Sequence, residues 1–381
     1  MDFNLTEEQR MIKDTAAEFA KKEIAPTVAD YYREKRFPYE LIEKMGRLGF
    51  LGLSLPPEYG GSTTDFLSYL IALVELSTVD AVVANIMHTS ISLGGHSLYK
   101  FGTEEQKQRW LTPIARGEKL GSFGLTEPNA GSDAKGTQTR AVLDGDEWVI
   151  NGSKNFISNS GTKMTLGTII TAVTDIEDGK KKISAIFVPK DTPGFTRSSN
   201  LEKIGWNHAD TRSLFFEDVR VPKENLIGAR GEGFKQFLTV LNIARITVGA
   251  TALGLSQLCL NESLKYSKER IQFGQPISKF QLVQAKLAEM ATEIEAARQL
   301  MHYTAWLVQS GKRFIKEASM FKLFVSETAH RAANEAVQIH GGYGFTMEYP
   351  VARAFRDYKV MEIGDGTSEI QKLIIARELG C

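Results

Sequence analysis

Three long stretches with regular apolar spacing limit the folds available to this chain more than any other feature. Residues 237–266, 282–308 and 315–339 each repeat apolar side chains with the 3.6-residue period of a helix that buries one face. A last helix is predicted from Thr367 through Leu379. The chain after Gly233 is therefore predicted to consist of long, mutually packed helices.

The middle of the chain changes to short apolar runs separated by turns. The pairs Asp144-Gly145 and Asp178-Gly179 each lie between two such runs, which predicts two hairpins. Asn151-Gly152 is interpreted as another tight turn. The predicted strands are residues 139–143, 148–150, 168–174, 183–188, 214–216 and 219–221.

The first part of the chain is again predicted to be helical. Thr6 and Gln9 have the spacing of a capping box, and Pro26 should interrupt the helix that this box opens. The apolar stretch 66–87 carries two acidic residues and is interpreted as one buried helix, not a membrane span. The order predicts an α+β protein with the domains 1–120 (helical), 121–231 (β) and 232–381 (helical).

Composition narrows the classes of function. The 381 residues suffice for two or three domains, and 46 basic against 46 acidic residues give no net charge. We therefore expect no nucleic-acid partner and no membrane attachment. The only cysteines, Cys259 and Cys381, have no metal-site spacing, so no metal is predicted. The first residues do not resemble a signal peptide, and a cytoplasmic location is expected.

Five segments contain side chains suited to holding a ligand. Small residues let a ligand approach the backbone, and Phe156, Ile157 and Ser158 could pack on a planar ring and bond its edge. Arg270 could clamp a pyrophosphate, and the amides after Asp365 could hold a carbonyl oxygen or phosphate. Each segment alone is equally compatible with a plain turn, hairpin or helix cap. The segments are LTEPNAGSD (125–133), WVINGSKNFISN (148–159), RIQFGQP (270–276), QIHGGYGF (338–345) and GDGTSEIQ (364–371).

Taken together and in this order, the five segments resemble the acyl-CoA dehydrogenase family over essentially the whole chain. The resemblance implies an N-terminal helical domain, a central β-barrel or sandwich and a C-terminal four-helix bundle. It also implies FAD as the cofactor, shared between the subunits of a homotetramer. The residues that it implies as flavin contacts are Leu125, Thr126, Ser132, Phe156, Ile157, Ser158, Arg270, Phe273, Gln281, Gln338, Gly341, Gly342, Thr367 and Glu369.

The family's reaction supplies the remaining expectations. A base removes the proton α to a thioester carbonyl, and a hydride leaves the β-carbon for flavin N5. The expected electron acceptor is an electron-transferring flavoprotein. The residues implied as contacts of the acyl-CoA substrate are Ser132, Asn242, Arg245, Gly364, Gly366 and Arg377.

The chain departs from the family pattern at the base. Most members of the family that this chain resembles have a Tyr-Glu pair at the positions of Gly364 and Asp365. A second subgroup has a catalytic Glu at the position of Ala244. Asp365 is therefore the predicted catalytic base. Aspartate is one methylene shorter, and a misplacement of about 1 Å can lower a rate by roughly 10²-fold. A shorter base and a wider pocket at Gly364 favour a cyclic substrate such as cyclohexanecarboxyl-CoA.

Other functions remain open at this stage. They are a short- or branched-chain acyl-CoA dehydrogenase, an enzyme similar to nitroalkane oxidase, and a flavin-binding protein without catalysis. A diene-forming relative should carry a further aspartate within residues 87–93, and this chain has none there. His88 in that segment is interpreted as either a pocket residue or a structural one.

Overall fold

The computed structural model describes residues 4–62 and 64–381, and its first part is helical. Short π-helical segments at Ala20–Ile24, Thr89–Gly95 and Lys107–Leu111 continue three of the α-helices. The α-helices of this part are α1 (Glu7–Phe19), α2 (Val28–Glu34), α3 (Tyr39–Arg47), α4 (Phe66–Ser77), α5 (Ala81–His88), α6 (His96–Phe101), α7 (Glu104–Gln106) and α8 (Thr112–Ala115).

Side-chain caps explain where helices begin in this region. Thr6 and Gln9 form the predicted capping box, each side chain accepting the backbone N–H of the other residue. The prediction of one helix over residues 66–87 is wrong, because two helices lie there. The carboxylate of Asp80 accepts the N–H of Val83 at 2.9 Å and starts α5 after the chain has left α4 at Ser77.

The middle part forms an eight-stranded, mostly antiparallel sheet. Its strand order is β6-β7-β3-β2-β4-β5-β8, and β1 pairs with β4 in parallel. The strands are β1 (Phe123–Gly124), β2 (Arg140–Asp144), β3 (Glu147–Ser158), β4 (Gly167–Glu177), β5 (Lys180–Pro189), β6 (Phe195–Arg197), β7 (Thr211–Pro222) and β8 (Leu226–Ile227).

Both predicted hairpins are confirmed, but two other predictions for the sheet are wrong. Asn151-Gly152 is a bulge inside β3 and not a turn, since the register with β7 shifts there and Gly152 has φ +141°. A Cβ at Gly152 would lie 2.7 Å from Cα of Thr139, so glycine is needed for close approach. The segments 214–216 and 219–221 belong to the single strand β7.

The centre of the sheet, at β4 and β5, is buried on both faces. One face encloses a core of its own that contains Trp148, Ile150 and Phe216. The other face packs on the helices, where Phe187 stacks on Trp110 with ring centres 4.1 Å apart. Residues 167–173 of β4 and 183–188 of β5 are therefore buried continuously, without the alternation of a strand that has one exposed face.

The chain returns to long helices after the sheet, close to the predicted bounds. A two-residue ladder of β9 (Ile271–Gln272) and β10 (Gln275–Pro276) lies between the first two of them. The helices are α9 (Gly233–Glu269), α10 (Gln281–Gln309), α11 (Ile315–His340), α12 (Pro350–Asp357), α13 (Lys359–Ile363) and α14 (Ser368–Glu378).

Helix α9 lies at the centre of the molecule and packs against α4, α5, α10 and α11. Its length and its mean hydropathy of 1.5 over 18 residues would also suit a membrane span, but 83% of that window is buried inside the fold. A core helix of a folded protein has the same properties. The helix therefore carries no argument for a membrane.

A buried polar cluster joins the three parts of the chain. Asp80 Oδ1 lies 3.0 Å from Nε2 of His208, and Asp80 Oδ2 lies 3.4 Å from Nε of Arg353. One turn after Arg353, Asp357 accepts the backbone N–H of Trp206 at 2.6 Å. Burial, reinforced by the charge of Asp80, raises the pKa of Asp357 to about 6.

Candidate active site

The loop between α13 and α14 holds Asp365 in an unusual backbone conformation. Asp365 has φ +54° and Gly366 has φ +97°, so both residues are in the left-handed region. The Gly366 carbonyl accepts Lys322 Nζ at 2.7 Å and Gln371 Nε2 at 2.8 Å. Thr367 caps α14 by accepting the N–H of Ile370. These bonds fix the loop to α11 and α14.

The carboxylate of Asp365 points into the interior toward α5. Its side chain is 14% exposed, and Oδ2 lies 3.1 Å from Nε2 of His88. The other ring nitrogen of His88 lies 2.7 Å from the hydroxyl of Thr247 on α9. Sequence reasoning left the role of His88 open and did not consider Thr247. No local pattern could have found this contact, because Thr247 is 159 positions away from His88.

Basic side chains surround the carboxylate. Burial alone would raise the pKa of Asp365, but His88, Lys322 and Arg245 outweigh it and lower that pKa below its ordinary value. Burial lowers the pKa of Lys322 to about 8 and that of Arg245 to about 10. The site therefore holds an ionised carboxylate that is poorly hydrated, as a general base requires.

Two residues predicted to contact the substrate lie beside this carboxylate on α9. Arg245 is 5% exposed, and its Nη1 donates to Oδ1 of Asn242 at 2.5 Å. Its Nε has no hydrogen-bond partner among residues 4–62 and 64–381. Arg377 is exposed on α14, and its charge helps to lower the pKa of Arg245. Arg245, which bonds Asn242 and is affected by the charges of both Arg377 and Asp365, thus links these predicted substrate contacts to the Asp365 loop.

The two predicted flavin segments of the sheet form one structural unit. Lys154 is fully buried, and its Nζ donates to Glu127 Oε1 at 2.7 Å, Thr171 Oγ1 at 2.9 Å and the Leu125 carbonyl at 3.3 Å. The N–H of Asn155 also donates to the carbonyl of Thr126, at 2.8 Å. Sequence reasoning missed Glu127 and Lys154, although both stand inside the quoted motifs.

The three residues at the end of β3, Phe156, Ile157 and Ser158, differ in how far they are exposed. Phe156 has φ +61° and is 64% exposed, so its ring is available to a ligand. The side chain of Ile157 lies in the core of the sheet, which leaves only its backbone for the predicted flavin contact. Ser158 is half-buried, and its carbonyl accepts the hydroxyl of Ser122 at 2.9 Å. Ser132 is exposed.

A second group of predicted residues lies at the far end of α11. A cavity of about 540 Å³ there is lined by Arg270, Gly341 and Gly342, together with Tyr266 and Tyr343. A Cβ at either glycine would meet nothing within 4 Å, so a ligand can approach the backbone closely there. A guanidinium, bare backbone and aromatic rings fit a phosphate-bearing cofactor such as FAD.

The remaining predicted contacts lie outside the lining of this cavity. Phe273, with φ +52°, is 93% exposed, and Gln281 and Gln338 are exposed as well. Thr367 and Glu369 belong to the other end of α11, beside the Asp365 loop. Lys322 and Gln338 are separated by 16 helical positions, or roughly 24 Å. The predicted flavin contacts therefore form two distant groups in one chain.

Comparison with known proteins agrees with this layout. Sequence profiles of the acyl-CoA dehydrogenase N-terminal, middle and C-terminal domains match residues 6–118, 122–219 and 231–380. The chain is 52% identical to the "Probable acyl-CoA dehydrogenase YngJ" of Bacillus subtilis, and the alignment covers all of both chains.

Solved structures match equally well. Butyryl-CoA dehydrogenase from Megasphaera elsdenii is 42% identical, with a TM-score of 0.97 and complete coverage of both chains. A chain from a structure of the electron-transferring flavoprotein of Acidaminococcus fermentans is 47% identical, with a TM-score of 0.96 and coverage of 100% and 99%. The protein thus belongs to the acyl-CoA dehydrogenase family, the FAD-dependent oxidoreductases that act on CH–CH groups of acyl-CoA thioesters.

Proposed function

We propose that this acyl-CoA dehydrogenase oxidises short acyl-CoA thioesters and that Asp365 is the base that removes the α-proton. The observation that carries the assignment of the base is the buried, ionised carboxylate at the mouth of α14, between His88, Arg245 and Lys322. A carboxylate kept from water and held in one orientation is suited to proton abstraction.

The loop also supplies a donor for the thioester carbonyl. The backbone N–H of Asp365 donates to no described residue, so it is free to bond the carbonyl oxygen. Such a bond stabilises the negative charge that develops on that oxygen as the α-proton leaves. Lys322 and Gln371 hold the Gly366 carbonyl in place, which keeps the N–H and the carboxylate of Asp365 in a fixed relation.

FAD, when bound, supplies the acceptor for the hydride from the β-carbon. The exposed ring of Phe156 and the backbone of Thr126 and Ser158 are the groups that would border its ring system. Arg270, Gly341 and Gly342 would hold its phosphate-bearing half. The chain contributes the position of the cofactor and the exclusion of water from Asp365.

The acyl group is proposed to be short. The structural relative with a TM-score of 0.97 is named for butyryl-CoA, and none of the three relatives named above is named for a cyclic acyl group. The prediction of a cyclohexanecarboxyl substrate stays a prediction that rests on Gly364 and Asp365 alone. Steady-state kcat/KM for butyryl-, isovaleryl- and cyclohexanecarboxyl-CoA decides between them. A higher value for the cyclic thioester would reject the short-chain proposal.

Asp365→Asn tests the base and separates the other candidate functions. Asparagine has nearly the same shape but cannot accept the α-proton, so anaerobic flavin reduction by butyryl-CoA should be lost while FAD stays bound. Activity near that of the unaltered enzyme would place the base elsewhere. Reduction by nitroethane and not by acyl-CoA would favour a nitroalkane oxidase. Reduction of the unaltered enzyme by no acyl-CoA would favour a non-catalytic flavin protein.

Partners are proposed on two observations. The relative from the Acidaminococcus fermentans structure supports an electron-transferring flavoprotein as electron acceptor. The separation of roughly 24 Å along α11 between Lys322, which lies beside the Asp365 loop, and Gln338 supports a homotetramer in which each flavin is shared by two subunits. Size-exclusion chromatography with light scattering tests the assembly, and a monomer with bound FAD would reject it.

A further inference from the structure

We infer that His88 is a positioning residue for Asp365 and that Thr247 sets the ring tautomer in which it acts. This inference rests on the proposed role of Asp365 as the base. It concerns how a short carboxylate is kept at the place where the α-proton must be taken.

The geometry links three elements that are distant in the sequence. His88 ends α5 and is 2% exposed, with Nε2 at 3.1 Å from Asp365 Oδ2. Its Nδ1 lies 2.7 Å from the hydroxyl of Thr247, which is completely buried in α9. Asp365 Oδ2 is buried and, within the described part of the chain, accepts no well-aligned hydrogen bond; the 3.1 Å approach of His88 Nε2 is its contact with a charged or basic side chain. His88 is therefore the side chain that orients this oxygen.

The hydroxyl of Thr247 decides which nitrogen carries the hydrogen. It has one proton, which it can donate to the carbonyls of Ala244 and Ile243 at 3.1 and 3.4 Å or to His88 Nδ1 at 2.7 Å. The shortest of these contacts is to the ring. When Thr247 donates there, Nδ1 is the bare nitrogen and Nε2 carries the hydrogen that points at Asp365.

Among residues 4–62 and 64–381, the other basic groups that face Asp365 do not hold its carboxylate. Lys322 on α11 bonds the Gly366 carbonyl, and Arg245 on α9 bonds Asn242, so neither holds the carboxylate itself. Both cations lower the pKa of Asp365 through their charge, whereas His88 contributes through contact as well. The shortness of aspartate makes orientation matter, because about 1 Å of displacement changes a rate by roughly 10²-fold.

The backbone around His88 supports a specialised role. The chain leaves α5 at His88 and enters the π-helical segment Thr89–Gly95, every residue of which is buried. Single π-turns are rare and occur frequently at functional sites, where they shift a side chain relative to a regular helix.

The test compares His88→Leu with His88→Gln in the FAD-loaded enzyme, using butyryl-CoA and cyclohexanecarboxyl-CoA. Leucine removes the donor, and the amide of glutamine can replace Nε2. We expect His88→Leu to lower kcat by about 10²-fold with KM nearly unchanged, and His88→Gln to recover part of that loss. The acid limb of the pH profile of kcat/KM, where activity is lost as Asp365 takes up a proton, should move to higher pH in His88→Leu. Burial raises the pKa of Asp365, and the leucine variant lacks one of the groups that lower it.

Thr247→Val and Thr251→Val form a matched pair. Both remove a buried hydroxyl from α9, but Thr251 bonds only the carbonyl of Val248 in its own helix. Only Thr247→Val should move the acid limb, and FAD content measured by absorbance should stay at the unaltered level in all variants.

Two results would overturn the inference. One is a His88→Leu enzyme with unaltered kcat and acid limb, and the other is equal impairment of His88→Leu and His88→Gln with the acid limb unmoved. If Asp365→Asn abolishes flavin reduction in the same series, only the role of His88 is rejected. If Asp365→Asn stays active, the proposed base is wrong.

Discussion

Replacing Lys154 by Met should lower the free energy of unfolding far more than replacing an exposed lysine. The Nζ of Lys154 makes three buried hydrogen bonds, and its removal leaves the carboxylate of Glu127 with only the N–H groups of Gln138 and Thr139 at 2.7 and 3.1 Å. Breaking a buried ion pair from one side destabilises a protein by about 3–5 kcal/mol. Thr126 and Leu125 are held by the same unit, so FAD retention should fall too.

The assay is urea unfolding of the FAD-loaded protein, followed by far-ultraviolet circular dichroism and flavin fluorescence. Lys223→Met is the matched control, because Lys223 pairs with Asp146 in the same domain while both side chains are at least half exposed. Such exposed pairs contribute about 0–1 kcal/mol. The double variant Lys154→Met/Glu127→Gln should regain part of the lost free energy of unfolding, because it also removes the charge of Glu127 that is left without its lysine.

The reasoning is refuted if Lys154→Met loses no more stability than Lys223→Met. It is also refuted if the double variant is less stable than Lys154→Met alone, because the stranded carboxylate would then not be the source of the loss.

Two further substitutions test other features of the structure. The pKa of Asp357 is raised from 3.8 to about 6 in the folded protein. Between about pH 4 and 6 the folded state therefore binds more protons than the unfolded chain, and the stability that this group contributes falls as pH rises through that window. Asp357→Asn should therefore raise the free energy of unfolding by up to ~3 kcal/mol at pH 8 and by little at pH 4, and equal effects at both values in urea titrations would contradict the assignment. Gly366→Ala should lower kcat by roughly 10-fold or more, because Gly366 has φ +97° and a Cβ there would lie 2.7 Å from Gln371 Nε2. An unaltered kcat in steady-state assays would show that the loop tolerates another conformation.

Local patterns were sufficient for most of the fold. The long helices and both hairpins were predictable because apolar period and turn residues are short-range signals. The prediction of a single helix over residues 66–87 was wrong because it was based on apolar content alone. Asp80 caps a second helix inside this stretch. Asn151-Gly152 misled because the same dipeptide serves a turn and a bulge, and only the approach of Thr139 distinguishes them.

Parts of the site could be proposed from the sequence. Asp365 was noted as a carboxylate in a loop that opens into a helix N-terminus, whereas Arg245 was proposed only through the resemblance to the family. The contacts of His88 with Asp365 and Thr247 were not predictable, since they depend on three elements meeting in space. The pair of Glu127 and Lys154 was missed for the same reason, although both residues stand in recognisable motifs.

The cluster of Asp80, His208, Arg353 and Asp357 has a consequence for chimeric enzymes. The four members come from three stretches of chain, because Arg353 and Asp357 both lie in α12, and together they connect the N-terminal helices, the loop before β7 and helix α12. A graft whose incoming stretch lacks the matching residue would leave a charged or polar side chain of this cluster buried without its partner. Recombination should therefore succeed only when the incoming stretch keeps the cluster's residue at that position.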